Sequence, residues 1–283
     1  MRIAIDGADL WFDVAGQGLV PDGESMRQKP TLIVLHGGPG FDHTGFKPVF
    51  DPLTDICQIV YLDHRGNGRS GGRDPKDWTL ARWGDDVRAL CDALGIEKPI
   101  VLGQSFGGMV AQSYATRHPD HPGKLILSST AARWDLDLAL DWFERLGGPD
   151  ARGIAERFWT RMTDEDRAAY MTHAMPLYNP RAKTDSFLRS RSTARPEVLR
   201  HFGGPGGEML TMDFRHTLAR ITCPCLVLGG TLDPITPVDR AREIAAHITN
   251  APCDLVLLED CGHGVWRDDP DQAIAILSRF ILG

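Results

Sequence analysis

Short apolar runs rich in β-branched residues alternate along this chain with stretches of helical periodicity. Residues 31–35, 56–62 and 99–102 are apolar runs of strand length. Between the second and third runs, Leu80, Trp83, Val87, Leu90 and Leu94 recur at three- and four-residue steps, so one apolar stripe lies on a helix that Gly95 would end. This alternation is typical of a parallel sheet covered by helices on both faces. The sequence therefore predicts an α/β fold with a mostly parallel central sheet.

The alternation is interrupted once. The predicted elements outside the interruption are two strands within 1–15 around a turn at Asp6-Gly7, a helix at 105–118, strands at 124–127, 225–228 and 255–258, a helix at 238–248 and a closing helix from Pro270. Residues 133–216 are helical in pattern but irregular, with breakers at 147–149 and 203–207. We interpret 133–216 as a helical lid inserted into a core formed by 1–132 and 217–283.

The pentapeptide G-Q-S-F-G at 103–107 lies between a predicted strand and a predicted helix. It matches the G-x-S-x-G nucleophile elbow, in which a serine occupies a sharp strand-to-helix turn. The residues two before and two after that serine must be small, which Gly103 and Gly107 satisfy. We therefore expect Ser105 to be a nucleophile at the carboxyl edge of the sheet. The alternative is an ordinary glycine-rich helix start.

Two residues downstream suit the remaining roles. A serine hydroxyl needs a base at neutral pH, and the base needs a partner that fixes its tautomer. Asp233 and His263 each follow the end of a predicted strand, and the chain order Ser, Asp, His leaves room for a lid before Asp233. We expect His263 to be the general base and Asp233 the carboxylate that orients it. Separately, the aspartate before a proline is also a common turn former, and the histidine between glycines a common loop residue.

The loop after the first buried strand reads H-G-G-P-G. Glycines there allow backbone N–H groups to approach a substrate closely. We expect an oxyanion hole formed by the N–H groups of Gly38 and Phe106, the alternative being a purely structural glycine turn. Three further residues in or beside these motifs are candidate substrate contacts: Gly37, Gln104 and Trp266.

Residues 66–71 satisfy the G-x-G-x-x-G string of dinucleotide-binding loops and follow a predicted strand. That motif functions only when a helix begins at once and its N-terminus meets the pyrophosphate. Gly72, Asp74 and Pro75 keep the segment irregular instead. We therefore expect no nucleotide loop here.

The composition of the chain excludes some classes of binding partner. The formal net charge of -7 argues against nucleic acid, because phosphate backbones reward clustered Lys and Arg. No apolar run reaches membrane-spanning length, and the first ten residues lack the apolar region of a secretory signal. We expect a small-molecule substrate and neither a nucleic-acid nor a membrane partner, and the oligomeric state stays open.

The six cysteines lie in or beside apolar stretches, the pattern of reduced thiols in a cytoplasmic protein. Cys223-Pro224-Cys225 could begin a zinc site, but no second ligand pair follows at short spacing. His118 and His121 flank a predicted helix end, where an isolated pair is more often surface or capping chemistry. We expect a cytoplasmic location, no metal and no organic cofactor.

Four segments together resemble the prolyl iminopeptidase branch of the α/β-hydrolases: residues 36–40, D-H-R-G-N-G-R-S at 63–70, the elbow at Ser105 and Gly262-His263. The H-G-G-P-G string is the most specific; in that family it marks enzymes that remove N-terminal residues, often proline, along with related amidases and esterases. The resemblance implies an α/β-hydrolase fold with the triad and oxyanion-hole roles already assigned.

The lid departs from that family's pattern. Prolyl iminopeptidases use lid glutamates, typically beside tryptophan, to hold the substrate's free amine, and no such pair aligns here. Trp142-Phe143-Glu144 is superficially similar but lies at the start of the lid, so the role is not carried over. Methionines and aromatic residues of the lid would form an adaptable apolar wall over the site or the lid's own core: Met162, Met171, Met175, Met209, Met212, Trp134, Trp142, Phe158, Trp159, Phe187 and Phe214.

The sequence thus predicts a serine hydrolase that acts through an acyl-enzyme on a small amide or peptide, as a proline iminopeptidase-like aminopeptidase or amidase. The alternative is a carboxylesterase or lactonase acting on a small hydrophobic acyl ester. A more distant one is a ligand-binding protein that keeps the fold without turnover. Dehalogenase and epoxide-hydrolase chemistry needs an aspartate at the elbow, where this chain has Ser105.

Overall fold

The computed structural model describes residues 1–182 and 191–283. The strands of this part are β1 (Arg2–Ile5), β2 (Ala8–Ala15), β3 (Leu19–Asp22), β4 (Ser25–Gln28), β5 (Thr31–Leu35), β6 (Gln58–Leu62), β7 (Ile100–Gln104), β8 (Lys124–Ser128), β9 (Cys225–Gly230) and β10 (Cys253–Leu258). The central sheet has the order β1-β2-β6-β5-β7-β8-β9-β10. Its pairs from β6 to β10 are parallel, whereas β1–β2 and β2–β6 are antiparallel. The predicted mostly parallel sheet is confirmed.

Helices cover both faces of this sheet. Within the described residues they are α1 (Leu80–Leu94), α2 (Phe106–Arg117), α3 (Leu136–Arg161), α4 (Asp164–His173), α5 (Pro196–Gly203), α6 (Glu208–Thr211), α7 (Val238–His247) and α8 (Pro270–Leu282). Trp83 of α1 and Met109 of α2 belong to one buried cluster, and Leu277 of α8 belongs to a second. As predicted, α1 ends at Gly95, whose φ of 65° is left-handed. None of these helices combines the length and the apolar character needed to cross a membrane.

The inner strands are parallel, so their carboxyl ends lie at the same edge of the sheet, where the candidate site residues follow them. β5, β7, β8 and β9 are buried along nearly their whole length, as expected for strands covered on both faces. Leu35 at the end of β5 pairs with Gly103, and Gln104 pairs with Ser128. The loops after these strands therefore converge at the edge where α/β sheets usually bind ligands.

The two ends of segment 133–216 lie side by side where they join the sheet domain. Arg133 forms an isolated antiparallel bridge with Asp213, and the Phe214 N–H donates to the Ala132 carbonyl at 2.8 Å. The described part of this segment is mainly helical. α3 is broken at Gly148, which has φ 77° and ψ -177°, directly before Pro149. These contacts support the division that we propose, a lid of 133–216 on a core of 1–132 and 217–283.

The structure differs from the sequence-based elements mainly at boundaries. α2 begins at Phe106, and Ser105 is the residue before it rather than its first turn. Residues 51–55 form a 3₁₀-helix, so β6 starts at Gln58 rather than at residue 56. The hairpin of β3 and β4 was not predicted at all. Its residues are almost all exposed, so the sequence carries no apolar alternation to reveal it.

Candidate active site

Ser105 lies on the sharp turn between β7 and α2. Its backbone has φ 56° and ψ -123°, a conformation that is strained for an L residue. Neighbouring groups hold this turn from both sides. The Ser105 N–H donates to the Ser128 carbonyl at 3.0 Å, and the Ser105 carbonyl accepts from the Thr130 hydroxyl at 2.7 Å and from the Gly108 N–H at 2.9 Å.

The glycines on either side of Ser105 are required by close packing. A Cβ on Gly103 would lie 2.3 Å from the Gly107 carbonyl oxygen. A Cβ on Gly107 would lie 2.2 Å from the Leu35 carbonyl oxygen. Both distances are far below any real contact, so this elbow accepts only glycine at the two positions.

Asp233 and His263 come together at the same edge. The Nδ1 atom of His263 is 2.9 Å from Oδ2 of Asp233, and both side chains are almost fully buried. The other Asp233 oxygen accepts the N–H groups of Ile235 and Thr236, each at 2.9 Å, and the Thr236 hydroxyl donates to Oδ2 at 2.7 Å. With Nδ1 donating to the carboxylate, Nε2 of His263 is left as the basic nitrogen.

Ser105 and His263 line the same cavity. Among the described residues, no hydrogen bond joins the Ser105 hydroxyl to the His263 ring. Catalytic hydrogen bonds are often long or poorly aligned before substrate binds. The structure thus brings the three predicted side chains to one site and forms the Asp233–His263 bond.

A segment of the lid holds the His263 loop. The His263 N–H donates to the Tyr178 carbonyl at 2.6 Å, and the Asn179 side-chain amide donates to the His263 carbonyl at 2.8 Å. The Tyr178 ring stands edge-on to the imidazole, with 5.1 Å between ring centres. Asp268 joins the two segments through Oδ2, which accepts from the Asn179 amide at 2.8 Å and from the Gly262 N–H at 2.7 Å.

No pattern in the sequence indicated this contact between lid and loop. Asp268 stands in Asp268-Asp269-Pro270, where Pro270 marks a helix start and Asp269 caps it by accepting the Gln272 N–H. The neighbouring aspartate therefore looks like one more polar residue before a helix. Asn179 and Tyr178 lie in an irregular stretch without any motif.

The glycine loop after β5 packs against the elbow. A Cβ on Gly37 would lie 3.0 Å from Ser105 Cβ, and Gly38 has φ 129°, in the region that favours glycine. The Asn67 side-chain oxygen fixes the loop by accepting the Gly40 N–H at 2.7 Å. Over the parts of the chain described, neither the Gly38 N–H nor the Phe106 N–H donates to another protein group.

Two further histidines, His36 and His64, contact each other at the start of this loop. The His64 N–H donates to His36 Nε2 at 3.1 Å, and the His64 ring contacts the His36 carbonyl at 3.2 Å. Burial lowers the pKa of His36 and lowers that of His64 well below its usual value, so both rings are neutral at pH 7. The segment 66–71 that follows contains left-handed Gly66 and Gly68, and no helix starts there, so this segment is irregular as predicted.

The cavity over Ser105 has a volume of about 590 Å³. The predicted oxyanion donors Gly38 and Phe106 line it, and so do the candidate substrate contacts Gly37, Gln104 and Trp266. From the lid it receives Trp134, Phe158, Trp159, Met171, Met175 and Met209. The predicted apolar wall is thus present with these six residues.

Other residues named for that wall lie elsewhere. The set that does not line the cavity comprises Met162, Met212, Trp142 and Phe214, and Phe187 lies outside the described residues. Met162 and Met212 are buried in the core that the lid shares with the sheet domain. Phe143 is also buried, and Glu144 is exposed and pairs with Arg152 at 3.4 Å, so the Trp142-Phe143-Glu144 stretch has no part in this site.

The cysteines are free thiols, and burial disfavours the thiolate form of Cys57, Cys253 and Cys261. All six lie in the described part of the chain and none is in a disulfide. Cys225 Sγ donates to the Cys223 carbonyl at 3.2 Å, so this pair interacts locally. Burial raises the pKa of Cys57, Cys253 and Cys261 to about 11. These thiols are protonated at neutral pH.

Comparison with known proteins agrees with this geometry. Residues 30–270 match the family model described as alpha/beta hydrolase fold. The chain is 30% identical over 260 residues to a putative carbamate hydrolase, RutD, of Caulobacter sp. (strain K31), covering 89% of this chain and 90% of that protein. It is also 30% identical over 299 residues to the proline iminopeptidase of Lactobacillus helveticus, covering 97% and 95%.

Solved structures share the architecture. A proline iminopeptidase from Mycobacterium smegmatis superposes with a TM-score of 0.79 at 23% identity, over 100% of this chain and 97% of that one. A thermophilic esterase from Thermogutta terrifontis gives a TM-score of 0.69 at 26% identity, over 100% and 98%. From the family match and these relatives, the chain belongs to the alpha/beta hydrolase fold family and is a proline iminopeptidase-like member of it.

Proposed function

We propose that this protein is a serine hydrolase that acts through an acyl-enzyme, with Ser105 as nucleophile, His263 as general base and Asp233 as the orienting carboxylate. The observation that carries the proposal is the 2.9 Å bond between His263 Nδ1 and Asp233 Oδ2, beside the cavity that Ser105 lines. That bond fixes the tautomer in which Nε2 accepts a proton. The strained elbow adds support, because backbone strain of this kind is held where it serves a function.

The steps follow from these positions. Ser105 Oγ attacks the substrate carbonyl carbon while His263 Nε2 takes the hydroxyl proton, once the two side chains have rotated into hydrogen-bonding distance. The carbonyl oxygen becomes an oxyanion that accepts the N–H groups of Gly38 and Phe106, each worth about 3 kcal/mol in the transition state. The C–N or C–O bond then breaks and His263 returns the proton to the leaving group. Water, deprotonated by His263, attacks the acyl carbon and releases the acid and Ser105.

The acyl or leaving group occupies an apolar space. Trp134, Trp159, Met171 and Met175 bring indole rings and flexible thioethers to the cavity, which has room for a small molecule. We propose small amides or esters as substrates. A cytoplasmic location completes the proposal, supported by six cysteines that form no disulfide.

A second candidate is removal of an N-terminal residue, as the name of the Lactobacillus helveticus relative says of that protein. The H-G-G-P-G loop at 36–40 favours it. An aminopeptidase must also bind a free ammonium group, usually with a carboxylate. Asp42 is the one carboxylate among the described residues that line the cavity, and its oxygens are already occupied by other donors. The geometry therefore favours amides or esters without a free α-amine over aminopeptidase substrates.

Steady-state assays separate the two candidates. Turnover would be compared on p-nitrophenyl butyrate, proline β-naphthylamide and N-acetylproline β-naphthylamide, with Ser105→Ala as the inactive control. We expect turnover of the ester or of the acetylated amide, and little turnover of the free-amine substrate. Preference for proline β-naphthylamide would establish the aminopeptidase instead, and activity that survives Ser105→Ala would reject serine catalysis altogether.

A further inference from the structure

Most of the charged side chains that line the cavity are positive. Four cationic side chains line it within the described residues: Lys47, Arg167, Arg195 and Arg267. Asp42 is the one carboxylate there. Lys47 is neutralised locally by an ion pair with Asp13. Asp42 and the arginines are therefore the residues that determine which charge a substrate meets in the cavity.

Asp42 is fully engaged in holding protein segments together. Its Oδ1 accepts the Thr44 N–H at 3.1 Å and the Thr44 hydroxyl at 2.5 Å. Its Oδ2 accepts the Thr193 N–H at 2.9 Å and Arg69 Nη1 at 3.0 Å. Burial raises the pKa of Asp42, but the hydrogen bonds from Thr44 and Thr193 outweigh it and leave the pKa below its usual value. This carboxylate stays ionised and offers little to a substrate cation.

Arg195 has unused hydrogen-bonding capacity beside the oxyanion loop. Its backbone N–H donates to the Gly40 carbonyl at 2.7 Å, which fixes the residue against the glycine loop. Its guanidinium donates through Nη2 to the Gly68 carbonyl at 3.3 Å, while Nε is buried and finds no acceptor among residues 1–182 and 191–283. A buried guanidinium N–H without a partner is costly, and an anion in the cavity would satisfy it.

Arg167 approaches the cavity from the lid. It lies on α4 and is half-buried, and its guanidinium makes no hydrogen bond or ion pair with any residue that the structure describes. Arg267 also lines the cavity, and its Nη2 lies 3.4 Å from the position of a Cβ on Gly45. The cavity therefore combines a mainly apolar lining with an excess of positive charge.

We propose that the substrate carries a carboxylate, recognised by Arg195 and Arg167, in addition to the amide or ester bond that is cleaved. The inference rests on the proposed serine hydrolase function and names its substrate class. Guanidinium groups match carboxylates in geometry and bind them through charge-assisted hydrogen bonds. In an apolar cavity this attraction is stronger than in water, and a substrate ammonium group would be repelled for the same reason.

Ester series of matched length test this. The acyl series compares mono-p-nitrophenyl adipate, p-nitrophenyl hexanoate and p-nitrophenyl 6-(trimethylammonio)hexanoate, which are anionic, neutral and cationic. The leaving-group series compares 4-carboxyphenyl butyrate with phenyl butyrate. We expect kcat/KM for the anionic ester to exceed that of its neutral counterpart by about tenfold or more in one of the two series, which also shows on which side of the bond the carboxylate lies. The cationic ester should be the poorest.

Substitutions of the two arginines test whether they cause the preference for anionic esters. Arg195→Gln and Arg167→Gln should each lower the ratio of kcat/KM for the anionic over the neutral ester by about fivefold or more. Arg145→Gln is the matched control, because Arg145 stacks on Trp142 of the lid away from the cavity and should leave the ratio unchanged.

Each outcome decides the question. Neutral esters turned over through Ser105 as well as or better than both anionic ones would overturn this inference and leave the proposed function standing. A ratio that falls equally in all three variants would also overturn it. If no ester is hydrolysed and Ser105 is not labelled by a fluorophosphonate, the proposed function itself fails.

Discussion

The backbone at Ser105 is strained, and its neighbours show why the strain is retained. The turn that carries φ 56° is tied to Ser128 and Thr130 on β8 and the loop after it, so relaxing it would break contacts with the adjacent strand. The same turn brings Gly107 against the Leu35 carbonyl, which leaves no room for a side chain. The strained backbone of Ser105 and the close packing of Gly107 are therefore two consequences of the same sharp turn.

Gly107→Ala should destabilise the protein by about 3 kcal/mol or prevent folding, because overpacking against backbone atoms cannot be relieved by a rotamer change. Gly153→Ala is the control, since Gly153 lies within α3 and the nearest atom to its Cβ position is 3.4 Å away at the end of Arg157. That variant should be neutral or slightly more stable. Urea unfolding followed by circular dichroism measures both, and equal stabilities of the two variants would contradict the packing argument.

Asp233→Asn should lower kcat by about ten-thousandfold with the protein still folded. The asparagine amide would donate toward Nδ1 and favour the wrong imidazole tautomer, which has its proton on Nε2. Asp239→Asn is the matched control, because Asp239 is an exposed residue of α7 and pairs with Arg242 at 3.6 Å. A loss of less than tenfold in Asp233→Asn would show that another carboxylate orients the histidine.

At the level of single residues, sequence motifs predicted the residues that a particular backbone turn requires. They did not predict the residues that act through side-chain contacts between distant segments. Gly103, Ser105 and Gly107 are dictated by one turn, so their spacing can be read directly. Asp268 and Asn179 hold the His263 loop through contacts between distant segments, and no local pattern records such contacts. The charge of the cavity was likewise invisible, because its arginines come from separate elements.

Among the elements, the most consequential contact joins the lid to the loop that carries His263. The two oxygens of Asp268 accept four hydrogen bonds: from the Arg181 N–H at 2.8 Å, the Ala182 N–H at 2.9 Å, the Asn179 amide at 2.8 Å and the Gly262 N–H at 2.7 Å. Three of these donors belong to the lid and one to the loop. Asp268 is thus a positioning residue through which the lid sets the place of the histidine.

Asp268→Asn should lower kcat per active site by about tenfold or more, because an amide nitrogen cannot accept the N–H groups that one carboxylate oxygen now accepts, and a displaced base reacts slowly. Active sites would be counted by fluorophosphonate titration, so that loss of folded protein is not mistaken for slow turnover. Asp269→Ala is the control: it removes the side-chain oxygen that caps α8 and should lower stability with kcat per site intact. A normal kcat per site in Asp268→Asn would mean that the contact is merely structural.

Elements with strong periodicity were predictable, and those set by distant contacts were not. The stripe on α1 and the buried runs of β5, β7 and β9 were identified within a few residues of their bounds. The exposed hairpin of β3 and β4 was missed because neither strand buries an apolar face. Within 133–216 the breakers at Gly148 and beyond were visible, but the packing of the helices over the cavity depends on tertiary contacts.

For the molecule as a whole, acid should loosen the contact between lid and core. Burial raises the pKa of both Asp42 and Asp63, but hydrogen bonds from Thr44 and Thr193 to Asp42, and from His43 and Arg69 to Asp63, leave both pKa values below 3.8. A carboxylate with a depressed folded-state pKa stabilises the fold above the unfolded-state pKa, and this contribution is lost as pH falls through the folded value. Stability should therefore decline below about pH 4.

Asp42→Asn tests this at the level of global stability. At pH 7 it should lower the free energy of unfolding by about 1 to 3 kcal/mol, because an amide nitrogen cannot accept the hydrogen bonds that one carboxylate oxygen now accepts, and the negative charge beside Arg69 is lost. The difference from the parent protein should shrink as pH approaches 3. Urea midpoints at pH 7, 5 and 3.5 measure it, with Asp22→Asn in the exposed hairpin as control. A difference that is constant with pH would contradict the role given to the ionised form.

The whole architecture serves to bring distant residues to one edge of the sheet. Ser105 follows β7, Asp233 follows β9 and His263 follows β10. The position of each residue just past the end of a predicted strand was enough to predict that they would lie at one edge of the sheet. The substrate class was beyond prediction because it depends on a lid whose contacts no periodicity encodes.

Fluorophosphonate labelling with mapping of the modified peptide is the most direct test of the central claim. The account predicts modification at Ser105, no labelling in Ser105→Ala, and a fall of about a millionfold in that variant's turnover. Modification of a different residue, or turnover retained in Ser105→Ala, would contradict it.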